Sequence, residues 1–160
     1  MTSEERETPQ FQFEGAVLGI DHGMQFIGLA ISRTGNFADP LMVIKRKSKQ
    51  QDFAKINEVI TREKITAIVL GLPPKPPNFE GHAQADSVRS WAQHLYEAVT
   101  VPIYFWDEGL SSYDARDQLA DVGKSAERVD AHAAAVILQQ CLDALRDGHP
   151  APEQFKLESG

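Results

Sequence analysis

Three acids in this chain stand where an apolar pattern stops: Asp21 after "AVLGI", Glu108 closing "VPIYFWDE", and Asp130 ahead of "AHAAAVILQQCLDAL". A carboxylate beside a hydrophobic core is costly unless a cation, a hydrogen-bond donor or water compensates it. Carboxylates that converge repel one another unless divalent cations lie between them, and hard oxygen ligands of this kind suit Mg²⁺ or Mn²⁺. The chemistry of such a site is phosphodiester hydrolysis, with two ions activating the attacking water and stabilising the leaving oxygen. Each acid also has an ordinary alternative. Asp21 before His22-Gly23 can shape a turn, Glu108 before Gly109 can be an exposed loop acid, and Asp130 can cap a helix N-terminus. Asp107 is expected to point to the other side of its strand and is the second choice for the Glu108 position. No H-x-x-x-H or C-x-x-C spacing occurs, which argues against zinc.

The elements that must position these acids follow from periodicity. Three short strands, at about 15–21, 26–33 and 39–45, are separated by Gly- and Asn-containing turns too short for anything but antiparallel neighbours. Phe53, Ile56 and Ile60 have helical spacing. "ITAIVLGLP" is a continuous apolar strand of the kind covered on both faces. Val88, Trp91, Ala92, Leu95 and Val99 make a second helical stripe, and "VPIYFWDE" another buried strand. Ser111 with Asp114 resembles a capping box, opening a helix with Ala115, Leu119 and Val122 inside. Asp130 is expected to open the last helix, in line with Ala133, Ala134, Ile137, Leu138, Cys141, Leu142 and Leu145. The order βββ-α-β-α-β-α-α implies an α/β fold, a five-stranded mixed sheet with helices on both faces. With the first and fourth strands side by side, Asp21, Glu108 and Asp130 come to one sheet edge.

The bulk numbers suit one domain with its own core: 160 residues, 42% hydrophobic and 24% charged. Residues 1–14 are expected to be a disordered leader, 15–147 the domain, and 148–160 a flexible tail. The single cysteine, Cys141, cannot form an internal disulfide. With no secretion signal or membrane span in the pattern, a cytoplasmic location and no membrane partner are expected. A net charge of −7 argues against coating nucleic acid by charge alone. It does not argue against a metal-dependent nuclease with a local basic segment. "IKRKSK" is that segment, and Lys45, Arg46 and Lys47 are its candidates for phosphate contact, against a solvated loop or helix entry. "PPKPPNFEG" reads as a stiff connector in which Lys75 is a further phosphate candidate.

"LGIDHGMQFIGLAIS", "DPLMVI", "VLGLP" with "GHAQADSVRSWAQHL", "VPIYFWDEGLSS" and "VDAHAAAVILQQCLD" occur in an order and spacing that resembles the YqgF family, also called RuvX-like, Holliday-junction-resolvase-like or pre-16S rRNA nuclease. The resemblance covers about residues 15–145. It implies an RNase H-like fold, Mg²⁺ or Mn²⁺ as cofactor, and catalytic, metal-ligating roles for Asp21, Glu108 and Asp130. It implies precursor 16S rRNA as the nucleic-acid partner, in 5′-end maturation during ribosome biogenesis. Branched DNA, cut by a Holliday-junction resolvase, and a non-catalytic ribosome-assembly factor are the alternatives, and a monomer or a homodimer fits the sequence. The chain departs from the family pattern at Gly109, where an Arg is usual, and at Ser111 and Ser112, which replace a Thr pair and keep its hydroxyls for substrate contact.

Overall fold

The computed structural model describes residues 11–73, 84–107 and 126–156, with backbone alone at residue 84 and at residues 126–130. Strands β1 (Ala16–His22), β2 (Phe26–Ser32) and β3 (Asp39–Lys45) form an antiparallel meander. Helix α1 (Lys49–Glu63) leads into β4 (Ile65–Leu72), and α2 (Gln84–Ala98) leads into β5 (Ile103–Asp107). Helix α3 (Ala126–Arg146) and a two-residue strand, β6 (Glu153–Gln154), complete the described elements. The sheet order is β3-β2-β1-β4-β5-β6, with β1, β4 and β5 mutually parallel. The carboxyl ends of these three strands therefore share one edge, and Asp21 stands there.

Two apolar layers hold the helices to the sheet. On one face Leu18 and Ile20 of β1 join Phe53, Ile56 and Ile60 of α1 and Val88, Trp91 and Leu95 of α2. On the other face Val17 and Val69 join Ala134, Ile137, Leu138, Cys141 and Leu142 of α3. Burying each large side chain contributes about 1.5–3 kcal/mol relative to leaving it exposed. The period-two alternation of β1 thus settles the two faces: Val17, Gly19 and Asp21 look toward α3, while Leu18, Ile20 and His22 look toward α1 and α2. Helix α1 begins at the Ser48 N-cap, whose side chain accepts from the Gln51 backbone N–H at 3.1 Å. It ends at Lys64 in the left-handed region (φ 56°), whose N–H bonds to the Ile60 carbonyl.

Among the described residues the sheet has six strands rather than the expected five. The sixth lies in the segment read from sequence as a flexible tail, where Glu153 and Gln154 pair antiparallel with Phe105 and Tyr104. Nonlocal contacts hold it. The Phe155 N–H donates to the Ile103 carbonyl at 2.8 Å, and its ring packs 5.0 Å from Tyr96 and 6.1 Å from Phe105. Arg89 of α2 donates two hydrogen bonds of 3.1 Å to the Glu153 carboxylate. The end of the expected leader is likewise docked, with the Phe11 and Phe13 rings edge-to-face at 5.1 Å and both against Tyr104. Helix α3 starts at Ala126, so Asp130 is its fifth residue and not its opening one. The helix expected from Ser111 lies outside the described residues.

Candidate active site at the carboxyl edge of the sheet

Asp21 is the acid whose surroundings are most fully defined. It lies inside β1, opposite Gly28 of β2, and is 2% exposed. The turn begins two residues later, where the Gly23 N–H donates to the Phe26 carbonyl at 2.9 Å, so Asp21 is not a turn residue. The registers Ile20–Leu70 and Gly71–Trp106 put Asp21, Gly71 and Trp106 in one row across three strands on the α3 face. Gly71 is the middle member of that row.

Asp130 belongs to α3, and the direction of that helix places it. The Gln139 side chain accepts from the Ala38 N–H at 2.8 Å and donates to the Asn36 carbonyl at 2.9 Å, which fixes the middle of α3 to the loop after β2. That loop lies at the amino end of β1, because Val17 pairs with Ser32. Leu138, just before Gln139, and Ala134, one turn before Leu138, cover Gly19. The helix therefore runs from the carboxyl end of β1 toward its amino end, and Asp130, one turn ahead of Ala134, is at the Asp21 end. Its position inside the helix removes the reading of Asp130 as an N-cap. Glu108 directly follows β5 in sequence and lies outside the described residues, as do Lys75, Ser111 and Ser112. Asp107 is exposed, level with Leu72 and on the face opposite Asp21, as its alternation requires.

The basic run is a helix entry with one structural cation. Lys45 and Lys47 are exposed at the end of β3 and the start of the α1 approach. Arg46 is half-buried and donates through Nη1 to the Gly23 carbonyl at 2.9 Å and the Met24 carbonyl at 3.3 Å, so it braces the β1–β2 turn. The Lys47 N–H donates to Asp52 Oδ1 at 3.2 Å, which gives the buried Asp52 a partner. His22, on the opposite face from Asp21, packs its ring 4.7 Å from Trp91. Burial and then the nearby Arg46 and Lys49 charges lower its pKa to about 4, so it is neutral at physiological pH. Sequence reasoning set His22 aside as a ligand and missed the cleft that it lines with Met24, Arg46, Lys49, Ser90 and Trp91. Ser87 and Ser90, one helical turn apart beside a cation, were the available signal.

The Asp21 carboxylate, at the carboxyl edge of parallel strands, is a hard oxygen donor of the type a divalent cation takes. Among the described residues no helix is long and apolar enough to cross a membrane. The family model described as "RuvX: Holliday junction resolvase" matches residues 15–144. The "Putative pre-16S rRNA nuclease" of Thermoanaerobacter pseudethanolicus is 37% identical over 137 residues, covering 82% of this chain and 98% of the relative. The protein of that name from Ruegeria sp. (strain TM1040) is 39% identical over 136 residues, covering 82% and 86%. Among solved structures, Thermus thermophilus RuvC in complex with a Holliday junction aligns with a TM-score of 0.54 at 20% identity, covering 87% of this chain and 99% of that one. The yeast mitochondrial Holliday junction resolvase Ydc2 aligns with a TM-score of 0.54 at 12% identity, covering 88% and 82%. At those identities the likeness is one of fold, and it is the RNase H-like fold of resolvases. The match along 15–144 and the relatives' identity over most of their length carry the conclusion that this chain belongs to the RuvX family, whose curated relatives are named as nucleases.

Proposed function

We propose that the protein is a metal-dependent endonuclease that hydrolyses phosphodiester bonds in the 5′ region of precursor 16S rRNA, with Asp21, Glu108 and Asp130 as its catalytic, metal-ligating residues. The observation that carries this reading is the buried Asp21 carboxylate at the shared carboxyl edge of β1, β4 and β5, on the α3 face and beside Gly71. Glu108 follows β5 at that edge in sequence, and the Asp130 backbone lies on α3 at the same end.

In this reading the three carboxylates hold Mg²⁺ or Mn²⁺. Ions held there supply Lewis-acid activation of water and neutralise charge developing on the phosphate. The protein's own contribution is rigidity. Asp21 is fixed by strand pairing on both sides, and α3 is clamped to β1, so the backbone that carries Asp21 and Asp130 is held in place. Lys45, Arg46 and Lys47 are proposed to meet the substrate backbone, as are Lys75, Ser111 and Ser112. A narrow basic segment in a chain of net charge −7 suits one strand passing the edge better than a four-armed junction. The products expected carry 5′-phosphate and 3′-hydroxyl ends.

The test is a paired cleavage assay with Mn²⁺, using single-stranded RNA that carries the 16S leader and a synthetic Holliday junction. Cleavage of the RNA, its loss in Glu108→Gln, and little action on the junction are expected. Symmetric cutting of the junction with intact RNA would overturn the RNA assignment. Cutting of neither would favour a non-catalytic assembly factor.

A further inference from the structure

The face of the sheet opposite Asp21 carries a second concavity at the same edge. It is a cleft of about 560 Å³, within the range of small-ligand pockets, lined by His22, Met24, Arg46, Lys49, Ser90 and Trp91. Its chemistry is unlike that of the chain as a whole. The protein has a net charge of −7, yet no acidic side chain among the described residues lines this cleft, and two cations and two serines, Ser87 and Ser90, do. Arg46 spends only Nη1 on the Gly23 and Met24 carbonyls, and among the described residues its Nε and Nη2 have no partner. An edge of two parallel N–H donors is suited to phosphate oxygens. Lys49 adds a mobile charge from the first residue of α1.

The rest of the cleft is apolar and aromatic. Met24 is 88% exposed at the tip of the β1–β2 turn, an unusual place for a large apolar side chain. His22 and Trp91 form the floor, and His22 Nε2 and Trp91 Nε1 are buried polar atoms without a hydrogen-bond partner among the described residues. Neither nitrogen reaches the cleft surface, so what His22 and Trp91 offer a ligand there is apolar ring surface, on which a nucleobase can lie. A cation pair, hydroxyls, an exposed thioether and aromatic ring surface together match a phosphate, a sugar and a base.

We infer that this cleft binds one nucleotide of the substrate strand, with its phosphate on Arg46 and Lys49 and its base against Met24 and His22. Asp21 and His22 are consecutive and face opposite sides of β1. A single strand crossing the carboxyl edge of the sheet therefore places a phosphate at Asp21 and a flanking nucleotide in the cleft. The inference rests on the nuclease reading for the identity of the strand, and not for occupancy of the cleft.

The experiment is done in EDTA, so that no cleavage enters it. Uridine 5′-monophosphate, uridine and inorganic phosphate are titrated separately into ¹⁵N-labelled protein, and the two tryptophan indole signals are followed. The monophosphate is expected to move the Trp91 indole and the Ser90 amide while leaving the Trp106 indole, on the other face, in place. Lys49→Glu, a charge reversal that the helix N-terminus tolerates, is expected to weaken monophosphate binding at least fivefold and binding of a ten-nucleotide RNA at least threefold. Movement confined to Trp106, an equal response to inorganic phosphate or to uridine alone, or unchanged affinity in Lys49→Glu would overturn the inference. Failure of the cleavage assay with these shifts present would overturn the nuclease reading and leave the cleft standing.

Discussion

A Cβ placed on Gly19 would lie 2.9 Å from Cβ of Leu138 and 3.1 Å from the Ala134 carbonyl oxygen, so α3 rests on β1 at a distance that glycine alone permits. The contact fixes the height of α3 above the strand that carries Asp21. Neither contacting atom is the end of a flexible side chain, so relief requires the helix to move.

Gly19→Ala should therefore lower stability by about 1–3 kcal/mol, the usual cost of an added methyl in a packed interior. Urea denaturation would measure it. Cleavage activity should fall further than stability alone requires, because α3 carries Asp130 and a lifted helix separates it from Asp21. An alanine variant as stable and as active as the parent would show that α3 is not held by this contact.

Lys45 and Lys47 differ from Arg46 in what they touch. Lys45→Gln and Lys47→Gln should leave stability within about 0.5 kcal/mol of the parent, as expected of exposed sites. Each should weaken RNA binding and reduce the slope of log affinity against log salt by about 1 if it meets a phosphate. Arg46→Ala should weaken binding too, but with faster amide exchange at the β1–β2 turn, since it also removes the bonds to the Gly23 and Met24 carbonyls. Salt-dependent fluorescence anisotropy and hydrogen exchange separate the two behaviours.

His22 makes the metal-free protein sensitive to mild acid. Its pKa is about 4 when folded and close to the ordinary 6.5 when unfolded. Between those values the unfolded chain binds a proton that the folded chain does not, so stability falls as pH drops through 6.5 and levels off below about 4. The loss attributable to His22 is on the order of 2 kcal/mol after allowing for its partial exposure. Urea titrations across this range should show a shallower pH dependence in His22→Gln than in the parent.

Much of this arrangement was legible in the sequence because it is local and periodic. Val17, Leu18 and Ile20 form an apolar run, Ile27, Leu29 and Ile31 alternate with smaller residues, and the stripe from Ala134 to Leu145 continues for three turns, so strands and helices follow from spacing and the shared edge from their order. Asp21 is conspicuous as a carboxylate in an otherwise apolar strand. What escaped depends on contacts distant in sequence. Phe155 is a lone apolar residue in a polar segment, and only its packing on Tyr96 and Phe105 turns that segment into a strand. Phe11 and Phe13 gain their meaning from Tyr104, more than ninety residues away in a chain of 160. Helix α3 begins a turn before Asp130, where charged Glu127 and Arg128 separate Ala126 from Val129 and only two apolar residues extend the stripe. The cleft beside His22 joins residues from β1, α1, α2 and the segment before α1, a combination that no single spacing announces.

Asp21, Glu108 and Asp130 are proposed to form one divalent-metal site. Isothermal titration of Mn²⁺ into the parent, Asp21→Asn and Asp130→Asn tests it most directly. The parent should bind Mn²⁺ with measurable heat and gain thermal stability in proportion, because a ligand specific to the folded state stabilises it by mass action. Each asparagine variant should remain folded and lose at least tenfold in affinity, since the amide keeps the shape of the carboxylate but not its charge. Equal Mn²⁺ affinity and equal thermal shift in the parent and both variants would contradict the account.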